Sequence, residues 1–405
     1  MKVIHTGDLH LGIENYGRQD PLTLINSRVM DFFRSLDYLV LETIKQKADL
    51  LLITGDIYHQ RDPEMFIQNE FSKRLIRLID NNIPVVLLIG NHDSLLAIKK
   101  VSSLQIFKEL RVPNIFVIDE PKVIRIDTKN GPIQIAGIPF LESNTLREYM
   151  VNHPVHENQK MDLLETIFSK MIHQLKAELD HEVPSILTAH VTLREAIYQN
   201  WRPAMIGNEL YLSEKVFKQK EFSYVALGHI HKSQLFLSEK NFPTVAYCGS
   251  LDVLDFGEAE FEHGFYSVEI NDKEVKPIFV PQPNQRKLVT IRIESENEAD
   301  IFLNLTEKFA NSVHENNIIR VVLVTNESID EQKIRREFSD SCYFIASIKY
   351  ERKSYTNTRL KELSSEMSPT DTLKQYLEFT KDPFMQQYKN ELISLTEEFL
   401  KETEK

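Results

Sequence analysis

The feature that most constrains this chain is a series of short apolar runs, each of which stops abruptly on a polar cluster. From residue 1 to about 280 the runs are "KVIHT", "ADLLLIT", "IPVVLLI", "VPSILTA", "FSYVAL" and "FPTVAY", and the spacers between them include residues 21–48, 64–82 and 158–180. Apolar runs of this length between helix-length spacers read as buried strands of a layered α/β fold. The runs deliver Gly7, Asp8 and His10; Gly55, Asp56 and His59; Gly90, Asn91, His92 and Asp93; His190; and Gly228, His229 and His231. Asp and His cost free energy when buried without partners, so each of these endings needs a reason. In α/β sheets ligands bind in the crevice beyond the carboxyl ends of the strands, which lets the five loops converge on one site.

The clusters are chemically coherent. Two carboxylates, a side-chain amide and several imidazoles make an oxygen and nitrogen donor set with no thiolate, which suits manganese, iron or zinc. Asp8 and His10 are two apart, as are His229 and His231, so in an extended loop each pair can point to one side. The glycines allow tight backbone turns beneath the ions. A carboxylate shared by two cations offsets their repulsion, and Asp56, central in chain order, is the candidate. His5 lies inside its run rather than after it and reads as a core histidine.

Bulk properties narrow the class. A chain of 405 residues exceeds what one core usually serves, so two or three domains are expected. With 27% charged and 42% hydrophobic residues it has the balance of a soluble globular protein. The opening "MKVIHTGD" enters a strand at once, without the pattern of a signal peptide, and no apolar run approaches the roughly 20 residues of a membrane helix. A cytoplasmic protein with no membrane partner is expected. Cys248 and Cys342 form no metal or disulfide pattern and read as reduced thiols. Net charge is −12, from 60 acidic against 48 basic residues, which argues against stand-alone nucleic-acid binding through phosphate neutralisation. Local basic patches, metal ions or a basic partner would be needed.

The proline-rich "VKPIFVPQPNQRK" closes the first domain, taken as residues 1–280. Alternating strand and helix patterns then predict a small α/β domain over residues 284–352, a polar linker over 353–367 and a helical tail over 368–405. Ser368, Pro369 and Asp371 form one helix-start signal, and Asp382 with Pro383 forms another. Phe384, Tyr388, Leu392, Leu395 and Phe399 recur at spacings of four, four, three and four, making an apolar stripe that must be buried somewhere.

"GDLH", "GDIYH", "GNHD", the isolated His190 and "GHIH" resemble the five metal-binding motifs of the calcineurin-like metallophosphoesterases. Within that family, "HTGDLHLG", the histidine after "GDIY" and "YCGSLDVLDFGEAEFEHGF" at residues 247–265 resemble the SbcD-like nuclease subunits, which include the meiotic-recombination nucleases. The residue before Gly-Ser in "CGSLDVLDFGE" departs from the Pro or Ser more usual there. Neither the arginine that serine/threonine phosphatases carry after "GDxxD" nor their "GNHE" is present.

The resemblance implies a layered β-sandwich metallophosphoesterase domain flanked by helices, a small capping domain that binds DNA, and a helical tail. It implies two divalent metal ions, Mn(II) above others, one held by Asp8, His10, Asp56 and His231 and the other by Asp56, Asn91, His190 and His229. His92 would protonate the leaving oxygen, His59 would contact the phosphodiester, and Asp93 would orient an imidazole. The implied activity is 3′ to 5′ exonuclease and single-strand or hairpin endonuclease action on DNA ends in repair and recombination, near the nucleoid. The implied partners are DNA, a second copy of the chain in a homodimer, and the coiled coil of an SbcC-type ABC ATPase. That coiled coil would be gripped by the tail residues Leu373, Tyr376, Leu377, Phe384, Tyr388, Leu392, Leu395 and Phe399. Candidates for a DNA-facing patch are Arg18, Arg61, Lys99, Lys100, Arg194, Arg202 and Lys232. A hydrolase of small nucleotides or phosphomonoesters, or a non-catalytic scaffold of the same fold, stands as the alternative.

Overall fold

The apolar runs fold as strands whose alternate side chains enter two different cores. In a computed structural model of the chain, the structure describes residues 1–94, 102–141, 160–197, 211–237, 242–271, 274–283, 285–312, 315–351, 370, 373–374, 377 and 388–403. One six-stranded sheet contains β1 (Lys2–Thr6), β2 (Leu50–Ile53), β3 (Val85–Leu88), β4 (Ile115–Ile118), β11 (Gly264–Asn271) and β12 (Glu274–Pro281), in the order β12-β11-β1-β2-β3-β4. A second contains β5 (Lys122–Thr128), β6 (Gly131–Ile138), β7 (Ser185–His190), β8 (Tyr224–Gly228), β9 (Gln234–Phe236) and β10 (Thr244–Tyr247), in the order β5-β6-β7-β8-β10-β9.

Period-two alternation assigns the faces. Val3, Leu50, Leu52, Val86 and Leu88 of the first sheet meet Ile133, Ile135, Ile186, Tyr224 and Ala226 of the second in a shared core. The opposite face, with Ile4, Leu51, Ile53, Val85 and Leu87, packs on helices α1 (Ser27–Lys45) and α2 (Met65–Asp80), whose Phe32, Phe33, Leu36, Phe71 and Leu75 join that core. Leu187, Val225, Leu227 and Val245 face the helix Lys160–Ala177 through Leu164, Phe168 and Ile172. The result is two sheets face to face with helices outside, the layered β-sandwich expected. Strands buried on both faces explain why the runs are continuously apolar, each buried side chain contributing about 1.5–3 kcal/mol.

β1, β2 and β3 run parallel, as do β7 and β8, so their carboxyl ends lie together. His5 proves to be a core residue. It is fully buried, with Nδ1 3.0 Å from the Tyr224 hydroxyl and Nε2 3.3 Å from the Leu227 carbonyl, and burial pushes its imidazole down to about 3.

Beyond Pro281, β13 (Leu288–Glu294), β14 (Ile318–Val324) and β15 (Phe344–Glu351) form a three-stranded sheet packed with helices Glu298–Ser312 and Glu331–Glu337 around Ile291, Leu305, Ile319, Ile334 and Phe338. Val253 and Phe256 of the first domain pack on Leu288 and Ile318 of this sheet. Arg286 reinforces the junction, with its Nε 2.9 Å from Asp31 and its guanidinium 3.6 Å from the centre of the Tyr343 ring.

Residues Val324–Asn326 and Tyr350–Lys405 form a separate compact unit. Within it a helix spans Lys389–Thr403. The linker 353–367, the helix-start residues Ser368, Pro369, Asp371, Asp382 and Pro383, and the side chains of Tyr376, Phe384 and Phe399 lie outside the described residues. Of the apolar residues expected to face a partner, Leu373, Tyr388 and Leu392 are half-buried and Leu395 is 50% exposed. Leu377 is fully buried by the chain itself, which already satisfies its gain from leaving water. No helix among the described residues is long and apolar enough to cross a membrane.

Candidate metal centre

The five loops predicted from strand ends do meet, but through a backbone geometry the spacing did not reveal. Asp8, His10, Asp56 and His229 have φ of 49°, 43°, 50° and 100°. The two-residue spacings therefore act through left-handed backbone within four residues of each strand end rather than through an extended strand. Such φ values cost free energy in non-glycine residues and persist where the surroundings over-determine them. Two glycines permit the crowding. A Cβ on Gly55, at φ +101°, would stand 2.3 Å from His190 Nδ1, and one on Gly90 would stand 2.3 Å from Asp56 Oδ1.

The donor atoms of the described residues fall into two clusters that include a carboxylate, with a third, all-imidazole group of His10, His59 and His92 beside the first. In the first, one donor atom each from Asp8, His10 and His231 lie within 4.8 Å of one another, with the Nε2 atoms of His10 and His231 3.1 Å apart. In the second, donor atoms of Asp56, His190 and His229 lie within the same limit, and Asn91 Oδ1 is 2.9 Å from His190 Nε2 and 3.0 Å from His229 Nδ1. Asp56 touches both clusters, its Oδ2 being 3.4 Å from His190 Nε2 and 3.8 Å from His10 Nε2.

Neighbouring groups hold these side chains. Asp8 accepts the N–H of His229 at 3.0 Å, Asp56 Oδ1 accepts the N–H of His92 at 2.8 Å, and His190 Nδ1 donates to the Thr54 carbonyl at 2.8 Å. His231 Nδ1 lies 2.6 Å from Glu258 Oε1. Asp93 differs from expectation. Its carboxylate accepts the backbone N–H groups of Ile57, Tyr58 and Gly90 at 3.1 Å each, pinning the loops after β2 and β3 together instead of orienting an imidazole. The physical reason is that these amides belong to loops past the ends of β2 and β3, outside the sheet's strands, and the buried carboxylate supplies their acceptor.

His59 and His92 stack with centroids 5.7 Å apart, both beside His10, and His92 Nδ1 is 2.8 Å from the His59 carbonyl. Phe140 flanks His190 and His229, with ring centroids 6.2 and 6.4 Å away. Glu258, Thr54 and Phe140 were not anticipated. Thr54 ends the run "ADLLLIT" and Glu258 lies within residues 247–265, but no spacing marks Glu258 as a partner of His231 27 residues earlier.

Burial and mutual charge set the protonation tendencies of these side chains. Burial raises the Asp8 carboxyl despite the imidazoles of His190 and His231. Burial would also raise Asp56, but His190, His10 and His92 overcome it and hold this carboxyl far below the usual range. Burial opposes charge on His190 and His231 too. Even so, Asp56 pushes His190 up to about 9, and Glu258 does the same for His231. His10 is held well below its ordinary value by burial and by His231. Burial raises Asp93 to about 6, with Asp56 adding to the effect.

These residues fit two divalent ions. The donor set is mixed oxygen and imidazole, His10 Nδ1 is buried without a hydrogen-bond partner, and two imidazole Nε2 atoms face each other at 3.1 Å with no acceptor between them.

The basic candidates scatter. Arg18 lies 5.3 Å from the ring centres of Tyr343 and Phe344, Arg194 pairs with Glu165 at 3.6 Å, and Lys232 lies 5.2 Å from the Phe261 ring centre. Arg61 is exposed, while Lys99, Lys100 and Arg202 lie outside the described residues.

Among solved structures, the chain is similar to a dimetal phosphatase from Danio rerio, at 10% identity over 70% of this chain and 99% of that one, with a TM-score of 0.38. It is also similar to a protein of Thermus thermophilus, at 11% identity over 69% and 98%, TM-score 0.37. A third is the phosphopantetheinyl hydrolase of Mycobacterium tuberculosis, at 11% identity over 68% and 95%, TM-score 0.35. A family model described as calcineurin-like phosphoesterase matches residues 1–233, more than half of the chain and the stretch that carries all five loops. On that match the chain belongs to the calcineurin-like phosphoesterases, a family of hydrolases that bind two divalent metals.

Proposed function

We propose that the chain is a two-metal phosphodiesterase acting on DNA, with the 3′ to 5′ exonuclease and single-strand or hairpin endonuclease activities of the SbcD-like nucleases. The observation that carries the hydrolytic part is Asp56, whose Oδ2 lies between His190 and His10 at 3.4 and 3.8 Å. One carboxylate between two donor clusters suits a pair of cations, whose repulsion it offsets. Two divalent ions supply Lewis acidity, activating water and stabilising charge on phosphate oxygens during in-line displacement.

The chain's own residues do the rest. Asp8, His10, Asp56 and His231 would hold one ion, and Asp56, Asn91, His190 and His229 the other, with Mn(II) as the metal. His92 is fixed through its N–H to Asp56 and through Nδ1 to the His59 carbonyl, which leaves Nε2 to protonate the leaving oxygen. His59, stacked on His92, would steady the diester.

The choice of DNA rests on the motif resemblance in "GDIYH", "GNHD" and residues 247–265. With a net charge of −12, affinity for DNA would have to come from the metals, a local basic patch, or a partner. The partners proposed are a second copy of the chain and a coiled-coil ATPase of the SbcC type, met by the tail helix.

The test is Mn(II)-titrated turnover of a nitrophenyl phosphodiester against the monoester, followed by end-labelled duplex, hairpin and single-stranded DNA with and without the ATPase. Metal-dependent cleavage of the diester and of DNA is expected. Preferential turnover of the monoester with DNA left intact would overturn this reading in favour of a phosphomonoesterase.

A further inference from the structure

We infer that Glu258 is a positioning residue for the metal centre, whose carboxylate fixes the tautomer and orientation of the His231 imidazole. A neutral imidazole carries its proton on either nitrogen, and only the unprotonated nitrogen can bind a cation. With Nδ1 2.6 Å from Glu258 Oε1, His231 donates its Nδ1–H to the carboxylate and turns Nε2 toward the cluster it shares with Asp8 and His10. Without that acceptor the other tautomer, with its proton aimed at His10 Nε2, becomes available.

Glu258 can do this because it is itself buried and hydrogen-bonded in place. It is 5% exposed, its Oε2 accepts the Leu254 N–H at 3.0 Å, and its carbonyl accepts the Phe261 N–H at 2.9 Å. The loop then closes on His231 from the other side. His263 Nε2 lies 3.3 Å from the Glu258 carbonyl, His263 Nδ1 lies 2.9 Å from Ser250 Oγ, and the Ser250 N–H donates to the His231 carbonyl at 3.0 Å. The segment from Ser250 to His263 therefore grips both the ring and the backbone of one residue. His190, in the second cluster, uses the Thr54 main-chain carbonyl for the same purpose, so its support does not depend on a side chain.

The inference rests on the assignment of His231 to a metal position made above, and the test separates the two. Metal-stripped full-length protein is titrated with Mn(II), free ion being counted by its paramagnetic resonance signal, for the native chain, Glu258→Gln, His231→Ala and the double variant. Glu258→Gln is expected to weaken one of the two sites by about 10- to 100-fold and leave the other unchanged, the usual effect of removing such a partner. His231→Ala should lose the same site. In its background Glu258→Gln should add nothing, since the carboxylate acts only through that ring. If Glu258→Gln fails to fold, Glu258→Asp should show the same one-site loss in smaller measure.

Native affinity at both sites in Glu258→Gln would overturn the inference. So would an undiminished further loss in the His231→Ala background, which marks a merely structural role. Two ions bound at native affinity by His231→Ala would instead remove the metal assignment, and this inference with it.

Discussion

Asp56 Oδ2 and His190 Nε2 lie 3.4 Å apart, joining the strand end of one sheet to the strand end of the other. The candidate metal centre thus lies where the two sheets meet, with the Asp56 carboxylate reaching both clusters. Asp56→Asn keeps the shape and removes the charge. It should lower occupancy of both metal positions and cut phosphodiester turnover by at least about 10²-fold, as the loss of several kcal/mol of metal-centred stabilisation requires. Metal content and turnover measured on one sample check this. Full activity with one ion bound would show that the two clusters do not share Asp56.

His92 is tied to the centre by its backbone N–H on Asp56 and its ring on the His59 carbonyl, not as a donor in either four-residue set. His92→Gln should therefore retain both ions while slowing diester cleavage by about 10²- to 10⁴-fold, the range for a lost acid catalyst. The deficit should shrink for substrates whose leaving group needs no proton, such as nitrophenolate. An equal deficit for nitrophenyl and alkyl leaving groups would contradict the role.

Gly90 offers a steric test that replaces no donor residue. An added methyl would stand 2.3 Å from both the backbone nitrogen and Oδ1 of Asp56, so Gly90→Ala must displace that residue. Weaker binding of metal is expected, with a stability cost of about 1–3 kcal/mol for overpacking. Calorimetric metal titration and thermal melting of the same variant measure both effects. Native metal affinity would mean that the loops yield easily.

His5 predicts a pH dependence of stability. Its ordinary value is 6.5 and burial lowers it to about 3 in the fold, so between these values the unfolded chain binds a proton that the folded chain does not. The contribution of neutral His5 is complete above about pH 6.5 and is lost as pH falls toward 3. The slope is at most one proton, or about 1.4 kcal/mol per pH unit. Denaturant unfolding between pH 4 and 7 should show a shallower acid decline for His5→Gln, by up to about one proton. Parallel curves for the two proteins would show that His5 is not held neutral.

Much of this was legible in the linear chain because a strand buried on both faces must be continuously apolar, and a polar residue at its end must then be explained. The runs at residues 2–6, 50–53, 85–88, 185–190 and 224–228 became β1, β2, β3, β7 and β8, and the residues that follow or end them became the two clusters. His5 could be set apart from His10 for the same reason, since it lay inside the run.

What only the tertiary structure decided depends on contacts between distant segments and on backbone dihedrals, neither of which leaves a periodic trace. Spacing suggested extended loops at Asp8–His10, but both residues take left-handed φ, 49° and 43°. The resemblance implied that Asp93 orients an imidazole, yet its carboxylate accepts three backbone amides instead. Glu258 reaches His231 only because the loop after β10 folds back between the first domain and the small sheet, anchored by Val253 and Phe256 against Leu288 and Ile318. The sequence by itself determined which polar residues gather beyond the strand ends, since burying polar groups is costly enough to demand a purpose. The packing of two sheets decided how those residues are held.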